Sequence, residues 1–151
     1  MNLIIVRHAK AQDRNTFIGD DLQRELVESG ISDSKKVAKY LANRYKSIDL
    51  VVSSLALRAQ QSSKYILEKY KNTTYVTDPQ INPNSGVDGY IKYTQRNENI
   101  IIVGHEPDIS QTLYQICGIK NVTIKKSCII ELKYKDGKWQ LFGINNIKDR
   151  K

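Results

Sequence analysis

Three short runs of almost unbroken apolar residues constrain this chain most: 3–6 (Leu-Ile-Ile-Val), 50–52 (Leu-Val-Val) and 100–103 (Ile-Ile-Ile-Val). Each is strand-sized and far too short to cross a bilayer. A strand that is apolar at every position has no solvent face. Both its faces must be covered, as they are in a parallel sheet held between helices. The intervening segments supply those helices. Val37, Tyr40, Leu41 and Tyr45 share one face of a helix expected to run from a cap at Ser32 or Asp33 to Tyr45. Ala59, Ile66 and Tyr70 point inward from a helix over about 55–70, and Ile109, Leu113, Ile116 and Cys117 form the stripe of another that Asp108 is expected to cap. A brief β-prone run at 74–77 ends at Asp78-Pro79. The chain then changes character. Runs 128–134 and 138–144 are β-rich and are joined by Lys135-Asp136-Gly137, in which Asp-Gly is a hairpin signal. The expected fold is a three-layer α/β/α sandwich with a mostly parallel central sheet and a C-terminal antiparallel hairpin at its edge.

The 151 residues, 40% hydrophobic and 26% charged, suit one domain, expected over 1–147 and followed by a short basic tail at 148–151. They exclude a disordered or disulfide-dense chain. Cys117 and Cys128 form no metal-ligand spacing with the two histidines and read as small buried residues. No metal or cofactor is implied. Met1 opens directly onto an apolar strand without a basic leader region, so a cytoplasmic protein is expected; a monomer with no membrane association is expected as well. The net charge is +8, and residues 117–151 hold nine basic against three acidic side chains. Such a stretch suits an acidic or phosphorylated partner. Lys125, Lys126, Lys133, Lys135 and Lys138 also read as guards of sheet edges. No aromatic-interleaved or recognition-helix pattern accompanies them, so nucleic-acid binding is not expected.

In open parallel sheets, ligands bind beyond the carboxyl ends of the strands. There the first run delivers Arg7-His8-Ala9-Lys10, the second Ser53-Ser54 and then Arg58, and the third Gly104-His105-Glu106-Pro107-Asp108. Both histidines of the protein therefore follow buried strands, and two arginines converge on the same edge. Guanidinium groups bind phosphate oxygens in pairs, Gly104 allows close backbone approach, and helix N-termini add amide donors. A neutral imidazole is a competent nucleophile towards phosphorus. His8 is assigned that role, with Arg7, Arg58 and His105 holding the transferring group. Lys10 is either a solvated charge or a steering group for an anion.

These segments resemble known motifs. Val6-Arg7-His8-Ala9 is similar to the Arg-His-Gly signature of the histidine phosphatase superfamily, in the branch shared with phosphoglycerate mutases. The segment 53–62 resembles that family's Ser-Pro-x-x-Arg-Ala-x-Gln-Thr stretch. Residues 103–108 resemble its second-histidine motif as found in SixA-like phosphohistidine phosphatases, and Asp21, Arg24, Leu26 and Gly30 resemble its Asp-x-x-Arg-Pro-Leu-Thr…Gly stretch. The resemblance implies a metal-independent phosphatase working through a phosphohistidine on His8. It also implies phosphate contacts from Arg7, Arg58 and His105, extended to Glu106 and Arg14, with Arg24 fastening the loop before the first helix.

The departures bear on the substrate. Ala9 stands for the usual glycine. Ser54 is read as standing for the usual proline, without chemical consequence. The general-acid glutamate of mutases and many phosphoesterases is matched by 81–83 (Ile-Asn-Pro), which offers no acid, leaving Asp88 and Glu106 as candidate substitutes. An alkoxide leaving group needs a positioned acid, an effect of ~10²–10⁴-fold. An imidazole, with a pKa of about 6.5, carries its own proton near neutrality. Protein phosphohistidine is therefore the expected substrate. The alternatives are a small phosphomonoester and, in another class, a non-catalytic phosphoprotein-binding module.

Overall fold

In the computed structural model, which describes residues 1–147, strands and helices alternate before a final hairpin. The tail expected at 148–151 lies outside the described residues. The elements are β1 (Asn2–Arg7), α1 (Glu28–Arg44), β2 (Leu50–Ser53), α2 (Leu57–Leu67), β3 (Thr74–Thr77), α3 (Asp88–Ile91), β4 (Ile100–Gly104), α4 (Asp108–Cys117), β5 (Cys128–Lys135) and β6 (Lys138–Asn146). The sheet order is β3-β2-β4-β1-β5-β6. The first four strands pair in parallel; β5 is antiparallel to β1, and β6 to β5.

The central strands are apolar throughout because both sheet faces are covered. On one face Leu3, Ile5, Val52, Ile100 and Ile102 pack with Tyr90 of α3 and with Ile109 and Leu113 of α4. On the other, Ile4, Val6, Val51, Ile101 and Val103 pack with Val37, Ala38 and Leu41 of α1 and Ala59 and Ile66 of α2. Successive strand residues face opposite layers, so each run feeds two cores. The hairpin turns over Asp136 and Gly137, with φ of 55° and 78°, the left-handed pair that a two-residue connection between twisted strands requires.

Two element starts differ from the sequence reading. α1 begins at Glu28 instead of at a Ser32 or Asp33 cap, and its N-terminal flanking residue Val27 makes no side-chain cap. The early start follows from tertiary contact. Val27 donates to the Lys10 carbonyl at 3.1 Å, and a Cβ on Gly30 would lie 2.1 Å from that oxygen, so only glycine lets the helix press on the segment after β1. α4 does begin at Asp108, but Asp108 does not cap it. Its carboxylate accepts the Ser85 amide at 3.2 Å, while the Ser110 amide inside the helix is taken by Glu106 at 2.7 Å.

Candidate active site

The carboxyl end of β1, the segment after β4 and the start of α2 line a cleft of about 1100 Å³. The His8 amide donates to the Gly104 carbonyl at 3.0 Å, which ties the end of β1 to the end of β4. Ser62 of α2 ties in the third element: its hydroxyl accepts the Ala9 amide at 3.0 Å and donates to the Arg58 carbonyl at 2.8 Å. Arg7, His8, Arg58 and His105 all line the cleft. The two imidazole centroids lie 4.9 Å apart.

Each ring has a definable protonation state. Nδ1 of His8 is 2.7 Å from the Ala9 carbonyl, which can only accept. Nδ1 therefore carries the proton, and the lone pair of neutral His8 sits on Nε2. Burial holds the His8 pKa well below its ordinary value, reinforced by His105 and then by Arg58 and Arg7, with the Ala9 bond opposing. His105 is pushed down to about 3, first by burial and then by Arg58. Both rings are thus neutral at pH 7.

The arginines are held from behind. Arg7 donates from one terminal nitrogen to the Ile124 carbonyl at 2.8 Å. Arg58 donates to the Asp21 carbonyl at 2.9 Å and to its carboxylate at 3.1 Å. Asp21 also receives Arg24 Nε at 2.8 Å, and Arg24 reaches the Gln12 carbonyl at 2.7 Å. Arg24 fastens the 12–21 loop in this way while also lining the cleft. The nitrogens left over matter most. Of five buried side-chain polar atoms without a partner among the described residues, three are Arg7 Nε, Arg58 Nε and His105 Nδ1. Buried donors are normally satisfied, so three orphans on the residues of one cleft mark a place for an anion.

The other sequence candidates fall into place differently. Arg14 is exposed on the cleft wall, close enough to act electrostatically on Arg7 and Arg58. Lys10 and Lys126 also line the cleft, so Lys126 is more than an edge guard. Asp88 is exposed at the start of α3 and is not among the lining residues. Glu106 lines the cleft, but its carboxylate is engaged by the Ser110 amide and hydroxyl. Asp13 is likewise engaged by the Asn15 amide, and Asp21 by the two arginines. The 81–83 segment brings Pro83 to the wall and no carboxylate.

Two features escaped the sequence reading. Ser54 is not without consequence: its hydroxyl lies 2.7 Å from His105 Nε2. Counted back from Arg58, the proline of the Ser-Pro-x-x-Arg pattern falls on Leu55, and Ser54 matches the serine; that register was the available signal. Tyr90, fully buried, accepts the His105 amide on its hydroxyl at 3.1 Å. Tyr90 lies 15 residues from His105, and no local pattern joins them.

Fold and cleft together define a three-layer α/β protein whose strand ends bring two neutral histidines and two arginines to one cleft. The model of the histidine phosphatase superfamily (branch 1) matches residues 3–83. The chain belongs to that superfamily, and is a phosphatase by that membership. Among solved structures, it is similar to a protein histidine phosphatase SixA complexed with tungstate (20% identity, 99% of each chain covered, TM-score 0.86). It is also similar to a protein assigned as phosphohistidine phosphatase SixA from Agrobacterium tumefaciens (23% identity, 96% of this chain and 97% of that one, TM-score 0.83). A third is a phosphoserine phosphatase from Entamoeba histolytica in complex with 3-phosphoglyceric acid (15% identity, 96% of each chain, TM-score 0.72). No curated protein matches the chain.

Proposed function

We propose that the protein hydrolyses phosphohistidine on a protein partner through a phosphohistidine formed on His8. The observation that carries this reading is the set of unpartnered buried nitrogens on Arg7, Arg58 and His105 beside a His8 whose Nε2 keeps its lone pair. Nε2 attacks phosphorus as the bond from phosphorus to the leaving nitrogen breaks. The arginine and His105 donors neutralise charge on the equatorial oxygens. Water then attacks the phosphorus on His8, releasing inorganic phosphate and restoring the ring. Phosphohistidine is preferred over a phosphoester because, of the carboxylates lining the cleft, Asp21 and Glu106 have both oxygens engaged and Asp13 lies exposed with one oxygen tied to the Asn15 amide. An alkoxide would lack its proton donor, whereas an imidazole can leave with its own. Arg14, Lys10 and Lys126 on the wall suit the anionic surroundings of such a substrate.

The test is phosphate release from a histidine-phosphorylated carrier protein, with a phosphomonoester in parallel. Wild type should release phosphate from the carrier and act feebly on the ester, and His8→Ala should lose about 10³-fold or more of the carrier activity. Preference for the ester would overturn the substrate. Release that survives His8→Ala would overturn the nucleophile. Anion binding without release from either would leave a phosphoprotein-binding module.

A further inference from the structure

We infer that Ser54 is a positioning residue whose hydroxyl donates to His105 Nε2, fixing the ring as the Nδ1–H form so that Nδ1–H is aimed at the phosphoryl group. The inference rests on the phosphatase reading for what that donor does, but not for the tautomer itself. Ser54 is fully buried at the end of β2. Its Oγ accepts the Ala56 amide at 3.2 Å and lies 2.7 Å from His105 Nε2. With one lone pair taken by the amide, the hydroxyl proton has Nε2 as the acceptor in reach. A neutral imidazole has one N–H and one lone pair, so an accepting Nε2 makes Nδ1 the donor.

The reverse polarity fails twice. If Nε2–H donated to Ser54, the hydroxyl proton would be buried without an acceptor. Nδ1 would then turn a lone pair towards an anion. The observed Nδ1 is buried and unpartnered in a ring that lines the cleft and lies 4.9 Å from His8, centroid to centroid. An unused buried N–H is costly to the fold alone and is accounted for by a ligand oxygen. The Tyr90 hydroxyl holds the backbone of His105 through its amide, and Ser54 holds the ring. Ser54 also stands four residues before Arg58, so a single β2–α2 junction sets both an arginine donor and the tautomer of the second histidine. Nitrogen–proton correlation NMR at pH 7 reads the tautomer in the wild type without substrate, and the protein has only two histidines to assign. The expected spectrum has the proton on Nδ1 of His105 and a bare Nε2. Ser54→Ala should move His105 towards the Nε2–H form while leaving His8 unchanged, and should lower kcat for phosphate release about 10- to 100-fold. Ser54→Thr, which keeps the hydroxyl, should keep the Nδ1–H form. A proton on Nε2 of wild-type His105 would overturn the inference whatever the variants do. So would an unchanged tautomer and kcat in a folded Ser54→Ala. The expected tautomer in a protein that releases no phosphate would count against the phosphatase reading and in favour of the Ser54 assignment.

Discussion

The chemistry of the cleft depends on atoms that approach more closely than ordinary side chains allow. A Cβ on Gly104 would lie 2.0 Å from the Tyr90 hydroxyl, the group that accepts the His105 amide. Tyr90 is fully buried and cannot step aside. Gly104→Ala should therefore cost about 1–3 kcal/mol of stability through overpacking, and should lower activity by displacing His105. Urea unfolding and phosphate release would measure the two effects. Adding Tyr90→Phe removes the nearest atom and should restore part of the stability, and no restoration would show that the strain lies elsewhere. Ala9, where the family pattern has glycine, meets no such obstacle. Its methyl is buried with Ala11 and Leu26, and its carbonyl still orients His8. Glycine is thus required at the end of β4, where a tyrosine closes in, and is dispensable after His8.

Between elements, one buried carboxylate joins a helix to the sheet. Glu131 on β5, 2% exposed, accepts the Tyr40 hydroxyl at 2.9 Å and is bonded by Arg44 and Tyr45 at the end of α1. Removing it takes away the acceptor that Tyr40, Arg44 and Tyr45 share, so Glu131→Ala should destabilise by about 2–3 kcal/mol. The Arg44 side chain is 47% exposed, so Arg44→Ala should cost under ~1 kcal/mol. Equal losses in urea unfolding would mean that the ion pair, and not the hydroxyl network, holds α1 to β5. The strands themselves were legible from their residues: 74–77 was read with the observed bounds, and Asp136-Gly137 turned where expected. The helical turns between β3 and β4 were not. Asp78 does cap Pro79–Ile81 by accepting the Gln80 amide, but a single short turn lacks the repeated apolar stripe by which a helix is recognised. The sequence reading puts the start of α1 five or six residues late because its first turn contains Ser29 and Gly30, weak helix formers, and the turn is held by contact of Val27 and Gly30 with Lys10.

For the molecule as a whole, two neutral buried histidines make stability depend on pH. Both have native pKa values lowered from 6.5, that of His105 to about 3. Unfolded, they protonate near 6.5; folded, they resist. Below pH 6.5 the unfolded chain therefore binds more protons than the native one, and stability falls as pH drops, each histidine approaching about 1.4 kcal/mol per pH unit at its steepest. Urea titrations at pH 7, 6 and 5 should show this slope in wild type and about half of it in His105→Asn. A slope unchanged by that substitution would place the acid sensitivity elsewhere. The sequence by itself determined the layers, the placement of Arg7, His8 and His105 at strand ends and of Arg58 at the start of the next helix, and the closing hairpin. It could do so because apolar periodicity and turn chemistry are local properties of the chain. Tertiary structure alone decided which polar atoms meet. Ser54 reaches His105 across 51 residues and Asp21 reaches Arg58 across 37, while Lys126 comes to the cleft wall. Strand order sets those meetings, and strand order emerges only when both faces of the sheet are buried at once.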